Sequence, residues 1–214
     1  MITHVKICGI TNWADAKLAI DSGADALGFN FYKRSPRRVS YSYAREIISQ
    51  LPERITTVGV FVNAAEKEVV QIAHGANLSL LQLHGDESPN AVERLARACP
   101  VIKAFQVGPQ FRAHQMGRYK SATGFLLDGF NPVMYGGTGE VFDWRVVNTA
   151  KQYGPIILAG GLRADNIAEA LRKVRPFAVD ICSGVEARPG KKDPRKIKAI
   201  MMEIERASEG VIGR

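Results

Sequence analysis

The sequence predicts an α/β protein that forms a single-domain (β/α)8 barrel, the TIM barrel architecture, over residues 1–214. Short apolar or β-branched runs alternate with segments of helical periodicity, which is the pattern of parallel strands joined by right-handed crossovers. Eight such units fill the 214 residues with little to spare, as a closed barrel requires. An open doubly wound sheet is the alternative. It normally carries a G-x-G-x-x-G turn after its first strand, whereas residues 8–12 read CGITN.

The predicted elements follow one another through the whole sequence. We expect strands at 5–9, 26–31, 56–62, 79–84, 101–107, 124–128, 156–160 and 177–182. Helical periodicity predicts helices at 13–22, 41–51, 65–74, 88–98, 110–117, 142–152, 164–173 and 194–207, with the least regular pattern at 110–117. Capping signals mark several starts: Thr11 or Asn12, Tyr41-Ser42, Ser88-Pro89 and Asp193-Pro194.

Composition places the chain among ordinary globular proteins, with 46% hydrophobic and 23% charged residues. No apolar run approaches the ~20 residues of a membrane span, and the amino end carries Lys6 in a strand pattern rather than a signal peptide. Three cysteines without paired spacing argue against a disulfide framework and for a reducing compartment, and no Cys/His spacing suggests zinc. We therefore expect a cytoplasmic protein without a metal site or a membrane segment.

The net charge of +8 has two interpretations, nucleic-acid binding and attraction of a small anionic substrate. The basic residues are spread through the chain, with short clusters at Lys33-Arg34, Arg37-Arg38 and Lys191-Lys192. A long basic run and an aromatic-interleaved RNA motif are both missing from the sequence. We expect most of these charges to lie on a solvated surface, and we expect no nucleic-acid partner.

Polar residues gather at the carboxyl ends of the predicted strands, where barrels carry their active sites. Cys8 ends the first strand and Asp128 ends the sixth. A free cysteine is usually a small buried hydrophobe. Helix capping explains Asp128 poorly, because the next helix begins some 14 residues later. Strand spacing and tilt place the two ends about 14 Å apart, so Cys8 and Asp128 could flank a sugar, one taking a proton and one giving it.

The protonation of Cys8 is not decided by the sequence. A thiol with a pKa of about 8.5 is a poor base at neutral pH. Lys6 lies on the same face of the strand, so its charge and that of a bound phosphate would shift the thiol in opposite directions. Asp180 is expected to face inward near Lys6, since the first and last strands are neighbours in a closed barrel. It is either a substrate-binding residue or half of a buried structural ion pair.

Three further side chains are candidate substrate-binding residues. Arg37 follows the second strand, and an arginine fork suits a carboxylate, although this stretch alone favours a surface charge. Gln82 and His84 share one face of the fourth strand. His84 either positions a ligand or is a satisfied core histidine.

Glycine-rich loops follow the last three strands and predict a phosphate site. They contain Gly137, Thr138 and Gly139 after the sixth strand, Gly160 and Gly161 after the seventh, and Ser183 and Gly184 after the eighth. Barrels frequently bind phosphate at the last two of these loops through backbone N–H groups, and glycine lets the main chain approach the anion. Each glycine pair alone would be an ordinary turn.

Together these residues resemble a known family. The motifs KICGIT, GADALGFNFY, SPRRV, LLQLHG, LLD, YGGTGEVFDW, LAGGL and RPFAVDICSGVEARPGKKD occur in order from about residue 4 to 195 and are similar to those of the phosphoribosylanthranilate isomerases of tryptophan biosynthesis. The resemblance implies a barrel without cofactor or metal. It also implies an Amadori rearrangement of N-(5-phosphoribosyl)anthranilate to 1-(2-carboxyphenylamino)-1-deoxyribulose 5-phosphate.

The resemblance also implies roles for single residues. Cys8 corresponds to the general base that removes the proton from C2 of the sugar, and Asp128 to the general acid that protonates the ring oxygen. Arg37 corresponds to the residue that pairs with the anthranilate carboxylate. The small anionic phosphosugar is the expected partner.

Two positions depart from the family pattern. Cys182 stands where serine is common, and Arg38 stands where an aromatic residue is common. A thiol would be a weaker donor to phosphate than a hydroxyl, and we expect neither departure to touch the proton-transfer pair.

The alternative enzyme activity is that of a related phosphosugar isomerase of the histidine pathway, but that chemistry usually relies on two aspartates.

The oligomeric state and loop closure are two further expectations. We expect a monomer, with a homodimer as the alternative. The glycines of the loop at 129–141 would permit that loop to close over substrate.

Overall fold

The computed structural model describes residues 3–129 and 144–212, and in this part of the chain it forms a closed barrel of eight parallel strands. The strands are β1 His4–Cys8, β2 Ala26–Asn30, β3 Thr56–Phe61, β4 Leu80–Leu83, β5 Val101–Val107, β6 Gly124–Gly129, β7 Ile156–Leu158 and β8 Ala178–Ile181. The helices are α1 Trp13–Asp21, α2 Tyr41–Ile48, α3 Glu66–Gly75, α4 Pro89–Ala96, α5 Arg145–Ala150, α6 Ile167–Val174 and α7 Pro194–Ile212. The predicted fold class is confirmed.

Each strand pairs in parallel with the strand that follows it in sequence, and β1 pairs with β8 to close the barrel. At the closing seam Lys6 lies opposite Asp180 and Ile7 lies opposite Ile181. The helix starts follow the capping signals closely. Asn12 caps α1 and Ser88 caps α4 with Pro89 in the first turn, whereas α2 is capped by Ser40 rather than opened by Ser42.

The main departure from the predicted elements lies after β5. The α-helix expected at 110–117 is wrong: a short 3-10 helix, Ala113–Arg118, occupies the position. Gly117 lies within this segment and Gly108-Pro109 precedes it. Because glycine and proline are the poorest helix formers, too few favourable residues remain to propagate an α-helix. The helix predicted at 142–152 corresponds to α5. This helix ends earlier than expected, because it gives way to a 3-10 turn at Lys151–Tyr153 that ends at Gly154.

The alternation of side chains along the strands divides the apolar core into two layers. A large layer fills the space between the sheet and the surrounding helices and includes Ile7, Leu27, Leu81 and Leu127. A smaller cluster is formed by the alternate positions of β5 to β8: Ile102, Ala104, Leu126, Ile157, Ala159 and Ala178. These alternate positions point into the barrel, and continuing them toward the carboxyl ends of the strands leads to Asp128 and Asp180.

A short hairpin that the sequence did not predict follows β8. Its strands are β9, Glu186–Arg188, and β10, Lys191–Lys192, and Lys192 lies opposite Glu186 in the antiparallel register. Gly190 makes the turn with φ +77°, a conformation that glycine adopts without strain. Within the described ranges, no helix is both long enough and apolar enough to cross a bilayer.

Candidate active site

A cavity of about 220 Å³ opens at the carboxyl end of the barrel. It brings together ten of the side chains and loop residues that the sequence singled out: Cys8, Arg37, Gln82, His84, Asp128, Gly160, Gly161, Asp180, Ser183 and Gly184. Gly137, Thr138 and Gly139, predicted to help bind phosphate, lie outside the described residues, as does most of the loop at 129–141. The strands therefore converge on one site.

Cys8 is positioned by two glycines. Gly9 turns the chain away from β1 with φ +76°, and the N–H groups of Gly9 and Ile10 both donate to the Gly28 carbonyl, at 3.0 and 2.9 Å. On the neighbouring strand, Gly28 lies directly opposite Cys8. A Cβ atom at Gly28 would lie 2.7 Å from the Cys8 sulfur, so the missing side chain provides the space that the thiol occupies.

The surroundings of Cys8 favour its thiolate. The thiol of Cys182, acting as a hydrogen-bond donor, lowers the pKa of Cys8 well below its ordinary value. Burial opposes this shift, and the positive charges of Lys6 and Lys192 reinforce it. The expectation that the Cys182 departure would not touch the proton-transfer pair is therefore wrong. Residue 182 follows directly after the strand paired with β1, so its side chain lies beside Cys8.

Lys6 and Asp180 form a buried ion pair beneath the cavity, with 2.8 Å between the ammonium nitrogen and Oδ1. Burial disfavours the charge on Lys6, but the Asp180 carboxylate and Cys8 outweigh it and raise the pKa of the ammonium group. Of the two possibilities left open for Asp180, the structural ion pair is present. Asp180 nevertheless also lines the cavity, so the ion pair does not remove it from the site.

A second buried cation supports Cys8 from the hairpin. Lys192 is only 2% exposed, and its ammonium group donates to the Cys8 carbonyl, to the Cys182 carbonyl at 3.5 Å and to Glu186 Oε1 at 3.1 Å. The expectation of a solvated Lys191-Lys192 cluster is wrong for Lys192. In a strand, successive side chains point to opposite sides. Lys192 points inward, while Lys191 pairs with Asp15 at 2.6 Å.

Arg37 also lies in the interior rather than on the surface, with 7% of its area exposed. Its Nε donates to both carboxylate oxygens of Glu186 at 2.9 and 3.1 Å, and its Nη2 donates to Oε2 at 2.7 Å. Burial opposes the guanidinium charge, but the bonds to Glu186 raise the pKa of Arg37. No described residue accepts a hydrogen bond from Nη1. The guanidinium is thus held by protein on one edge and borders the cavity.

On the opposite wall Asp128, His84 and Gln82 form a polar chain. His84 Nε2 lies 3.4 Å from Asp128 Oδ2, although the geometry is not that of a hydrogen bond, and His84 Nδ1 lies 3.0 Å from Gln82 Nε2. Gln82 Oε1 and His84 Nε2 are buried without a hydrogen-bond partner in the described structure. A satisfied core histidine is therefore a poor description of His84. Both residues line the cavity, where a polar ligand could supply the missing partners.

The two described glycine loops meet each other at the rim of the cavity. Gly160 and Gly161 adopt left-handed backbone conformations, with φ +84° and +61°, and no described residue accepts their N–H groups. Gly184 packs so tightly that a Cβ atom there would overlap the Leu162 carbonyl oxygen. Only glycine at residue 184 therefore lets the loop after β8 pack this closely against the loop after β7. The free amides at 160 and 161 are the donors that an anion would use.

Sequence reasoning missed Glu186 and Lys192 as contributors to the site. Both lie within the motif that follows β8, but neither was given a role, because only the hairpin turns them back toward Cys8. A signal was available in the two lysines that precede the helix cap at Asp193. If Lys191 and Lys192 lie in a strand, their side chains point to opposite sides, so one of them points inward. In the described ranges, no cluster of three or more His, Cys, Asp or Glu side chains could hold a metal ion.

Comparisons with known proteins agree with the barrel fold. A family model described as N-(5'phosphoribosyl)anthranilate (PRA) isomerase matches residues 5–203. The chain is 49% identical over 197 residues to the N-(5'-phosphoribosyl)anthranilate isomerase of Geotalea uraniireducens, which covers 92% of this chain and 96% of that protein. The family match therefore includes every strand of the barrel except the first residue of β1.

Two solved structures are also similar. One is a phosphoribosyl anthranilate isomerase in complex with reduced 1-(o-carboxyphenylamino)-1-deoxyribulose 5-phosphate, with TM-score 0.86, 38% identity and coverage of 95% of this chain and 99% of that one. The other is a monomeric form of the dimeric enzyme from Thermotoga maritima, with TM-score 0.84, 36% identity and the same coverage. The monomer expected from the sequence of the present chain stays a prediction.

Proposed function

This chain belongs to the N-(5'-phosphoribosyl)anthranilate isomerase family of tryptophan biosynthesis, and we propose that Cys8 and Asp128 perform its proton transfers. The substrate is N-(5-phosphoribosyl)anthranilate and the product is 1-(2-carboxyphenylamino)-1-deoxyribulose 5-phosphate. The observation that carries the proposal is that a thiol favoured as thiolate and a buried carboxyl group reach the same cavity from β1 and β6.

Asp128 is the general acid of the first step. It gives its proton to the furanose ring oxygen, the bond between that oxygen and C1 breaks, and the anthranilate nitrogen forms a double bond to C1. His84, 3.4 Å away, offers a ring nitrogen next to the carboxyl group that changes charge in this step. A positioned acid of this kind typically contributes 10²–10⁴-fold to a rate.

Cys8 is the general base of the second step. The open-chain iminium makes the hydrogen on C2 acidic, and the thiolate removes it, which leaves an enolamine that rearranges to the ketone. The hydrogen bond from Cys182, reinforced by the positive charges of Lys6 and Lys192, lowers the pKa of Cys8 and so favours the thiolate before the transfer. The isomerisation has no net gain or loss of protons, so the two groups exchange their protonation states within one turnover and must be reset.

The remaining candidates bind the ends and hydroxyls of the substrate. Arg37 receives the anthranilate carboxylate on Nη1, the edge of the guanidinium that Glu186 leaves open. The amides of Gly160 and Gly161, with Ser183 and Gly184 beside them, hold the phosphate. Gln82, His84 and Asp180 contact the sugar, since two of them carry buried polar atoms without a protein partner. Gly137, Thr138 and Gly139 complete the phosphate site in this proposal.

The test is an activity assay on two substrates. N-(5-phosphoribosyl)anthranilate, prepared immediately before use because it is labile, should be converted with loss of its fluorescence. The aminoaldose substrate of the histidine-pathway isomerase, which is usually handled by two aspartates, should turn over far more slowly or not at all. Conversion of the second substrate at an equal or greater rate would contradict the proposed specificity.

A further inference from the structure

Two cysteines stand side by side at the seam where the barrel closes. β1 and β8 are paired up to Ile7 and Ile181, so Cys8 and Cys182 are the next residues of the same register. Neighbouring strands lie about 4.8 Å apart, which falls within the about 4.4–6.8 Å that separates the Cα atoms of bonded cysteines. Backbone pairing alone therefore brings these residues to a separation that a disulfide can span.

Two contacts support this placement independently of the register. The single ammonium group of Lys192 donates to the carbonyl oxygens of both Cys8 and Cys182. A Cβ atom built on Gly9, the residue that follows Cys8, would lie 3.2 Å from the Cys182 sulfur. Both cysteines line the cavity, so a small solute that enters it meets both sulfurs.

We propose that Cys8 and Cys182 form a redox-active dithiol that closes reversibly to a disulfide when a small hydroperoxide enters the cavity. The disulfide has no free sulfur at residue 8, so it switches off the isomerase. This second consequence depends on the proposed role of Cys8 as general base, whereas formation of the bond does not.

The reaction balances in two steps. The Cys8 thiolate attacks one oxygen of hydrogen peroxide, a sulfur–oxygen bond forms as the oxygen–oxygen bond breaks, and the hydroxide that leaves is protonated to water. The Cys182 sulfur then loses its proton and attacks the Cys8 sulfur, so that the disulfide bond forms and the oxygen leaves as a second water. The two sulfurs lose two electrons, and the peroxide gains them.

The surroundings direct the attack to Cys8 rather than to its neighbour. Hydrogen bonding from Cys182 and the charges of Lys6 and Lys192 lower the pKa of Cys8, whereas the bond to Cys8 raises the pKa of Cys182. The thiolate is the nucleophile, so Cys8 reacts first and Cys182 resolves the sulfenic acid. The third cysteine, Cys99, is buried, donates to the Leu78 carbonyl and does not line the cavity.

The experiment treats the full chain with a slight excess of hydrogen peroxide and counts free thiols by alkylation after denaturation. The reduced protein has three free cysteines. We expect one alkylated thiol after oxidation, a peptide that joins residues 8 and 182, and recovery of all three thiols and of activity with a dithiol reductant. The Cys99→Ser variant should form the same link, and the Cys182→Ser variant should not. Cys182→Ser should instead accumulate sulfinic acid at Cys8, which reductant does not reverse.

Retention of three thiols, a link that includes Cys99, or direct conversion of Cys8 to sulfinic acid with Cys182 still reduced would overturn the proposal. The mass measurement is independent of activity, and this separates the two claims. If the linked protein remained fully active, the dithiol would be supported and the role of Cys8 as base would be contradicted.

Discussion

The two walls of the cavity hold their reactive groups by different means. On the β1 and β8 wall, Cys8 lies among fixed charges: Lys6 paired with Asp180, and Lys192 paired with Glu186. On the β4 and β6 wall, Asp128 has no basic side chain other than His84 within ion-pair distance among the described residues. The ion pairs of the first wall are hydrogen-bonded within the protein, whereas Gln82 and His84 on the second wall carry buried polar atoms without a partner among the described residues.

This difference matches the two chemical tasks that we propose for Cys8 and Asp128. A base that must be anionic before substrate arrives needs positive charges that are present in the free protein. An acid that must hold a proton until the ring opens is better kept away from cations, because a nearby positive charge would drive the proton off. In the proposed complex, sugar hydroxyls rather than protein groups complete the hydrogen bonds of the unpartnered atoms on the Asp128 wall.

The largest expected effect comes from removing the proposed base, Cys8. Cys8→Ala should lower kcat by about 10³–10⁴-fold with little change in KM, because the sulfur acts on a bound substrate and does not hold it. Steady-state kinetics measures this. Cys99→Ser is the matched control, since it removes a buried thiol that lies away from the cavity and should leave kcat unchanged. A kcat for Cys8→Ala within tenfold of the wild-type value would contradict the proposed role of Cys8, and with it the functional difference between the two walls.

The next effect comes from replacing the proposed acid, Asp128. Asp128→Asn retains the shape of the side chain but has no proton to give, so kcat should fall by about 10²–10³-fold. Steady-state kinetics on N-(5-phosphoribosyl)anthranilate measures the fall. Asp86→Asn, an exposed aspartate in the loop after β4, is the comparison variant. Equal losses in both variants would contradict the assignment.

A smaller effect should come from the cation in the hairpin. Lys192→Met removes one of the positive charges near Cys8, so the pKa of Cys8 should rise and its alkylation at pH 7 should slow by about tenfold. The measurement is the rate of Cys8 alkylation against pH, read from the peptide that contains it. Lys191→Met removes the same charge one residue away, where the side chain points outward to Asp15. Similar rates in the two variants would rule out a specific effect of Lys192.

The smallest effect concerns stability rather than rate. Burial opposes ionisation of Asp15, but hydrogen bonds from Lys191, the Lys192 amide and Asn12 outweigh it and lower the pKa of this carboxyl. A lowered folded-state pKa stabilises the protein above the ordinary carboxylate value and loses that stabilisation as pH falls through the folded-state value. Asp15→Asn should therefore lower the free energy of unfolding by about 1–3 kcal/mol at pH 7.

That deficit should begin to shrink as the pH falls below about 4, because the carboxyl of the unfolded wild-type chain then takes up a proton, and it should disappear as the pH falls through the lowered folded-state pKa. Denaturant unfolding at pH 7 and pH 3.5 measures it. Asp21→Asn, which breaks an exposed pair with Lys17, is the control and should change stability little at either pH. A deficit that is the same at both pH values would show that the Asp15 charge is not what anchors the hairpin.

Much of the barrel could be predicted because its signals are local. Alternating apolar strands and capping residues such as Asn12 and Ser88 depend on neighbours in sequence, and the structure places them as expected. The α-helix predicted at 110–117 did not form, because Pro109 precedes the segment and Gly117 ends it, which leaves a stretch too short to propagate an α-helix. A short 3-10 helix there satisfies the backbone without needing a long apolar face.

The residues at the strand ends of the site could be predicted, but the residues that hold them in position could not. The carboxyl ends of the strands identified Cys8 and Asp128, because a closed barrel brings all strand ends together. The pairing of Arg37 with Glu186 spans 149 residues, and that of Lys192 with the Cys8 carbonyl spans 184. Such contacts depend on how the hairpin folds back, which hydrophobic periodicity does not encode. Hydrophobic periodicity alone therefore could not distinguish a buried lysine from a surface one.

The most direct test of the account is a crystal structure of this protein with reduced 1-(2-carboxyphenylamino)-1-deoxyribulose 5-phosphate bound. We expect the Cys8 sulfur within about 3.5 Å of the sugar C2 and Asp128 on the side of the C4 hydroxyl, which carries the former ring oxygen. A ligand whose C2 lies against the Asp128 wall, or one that contacts neither group, would contradict it.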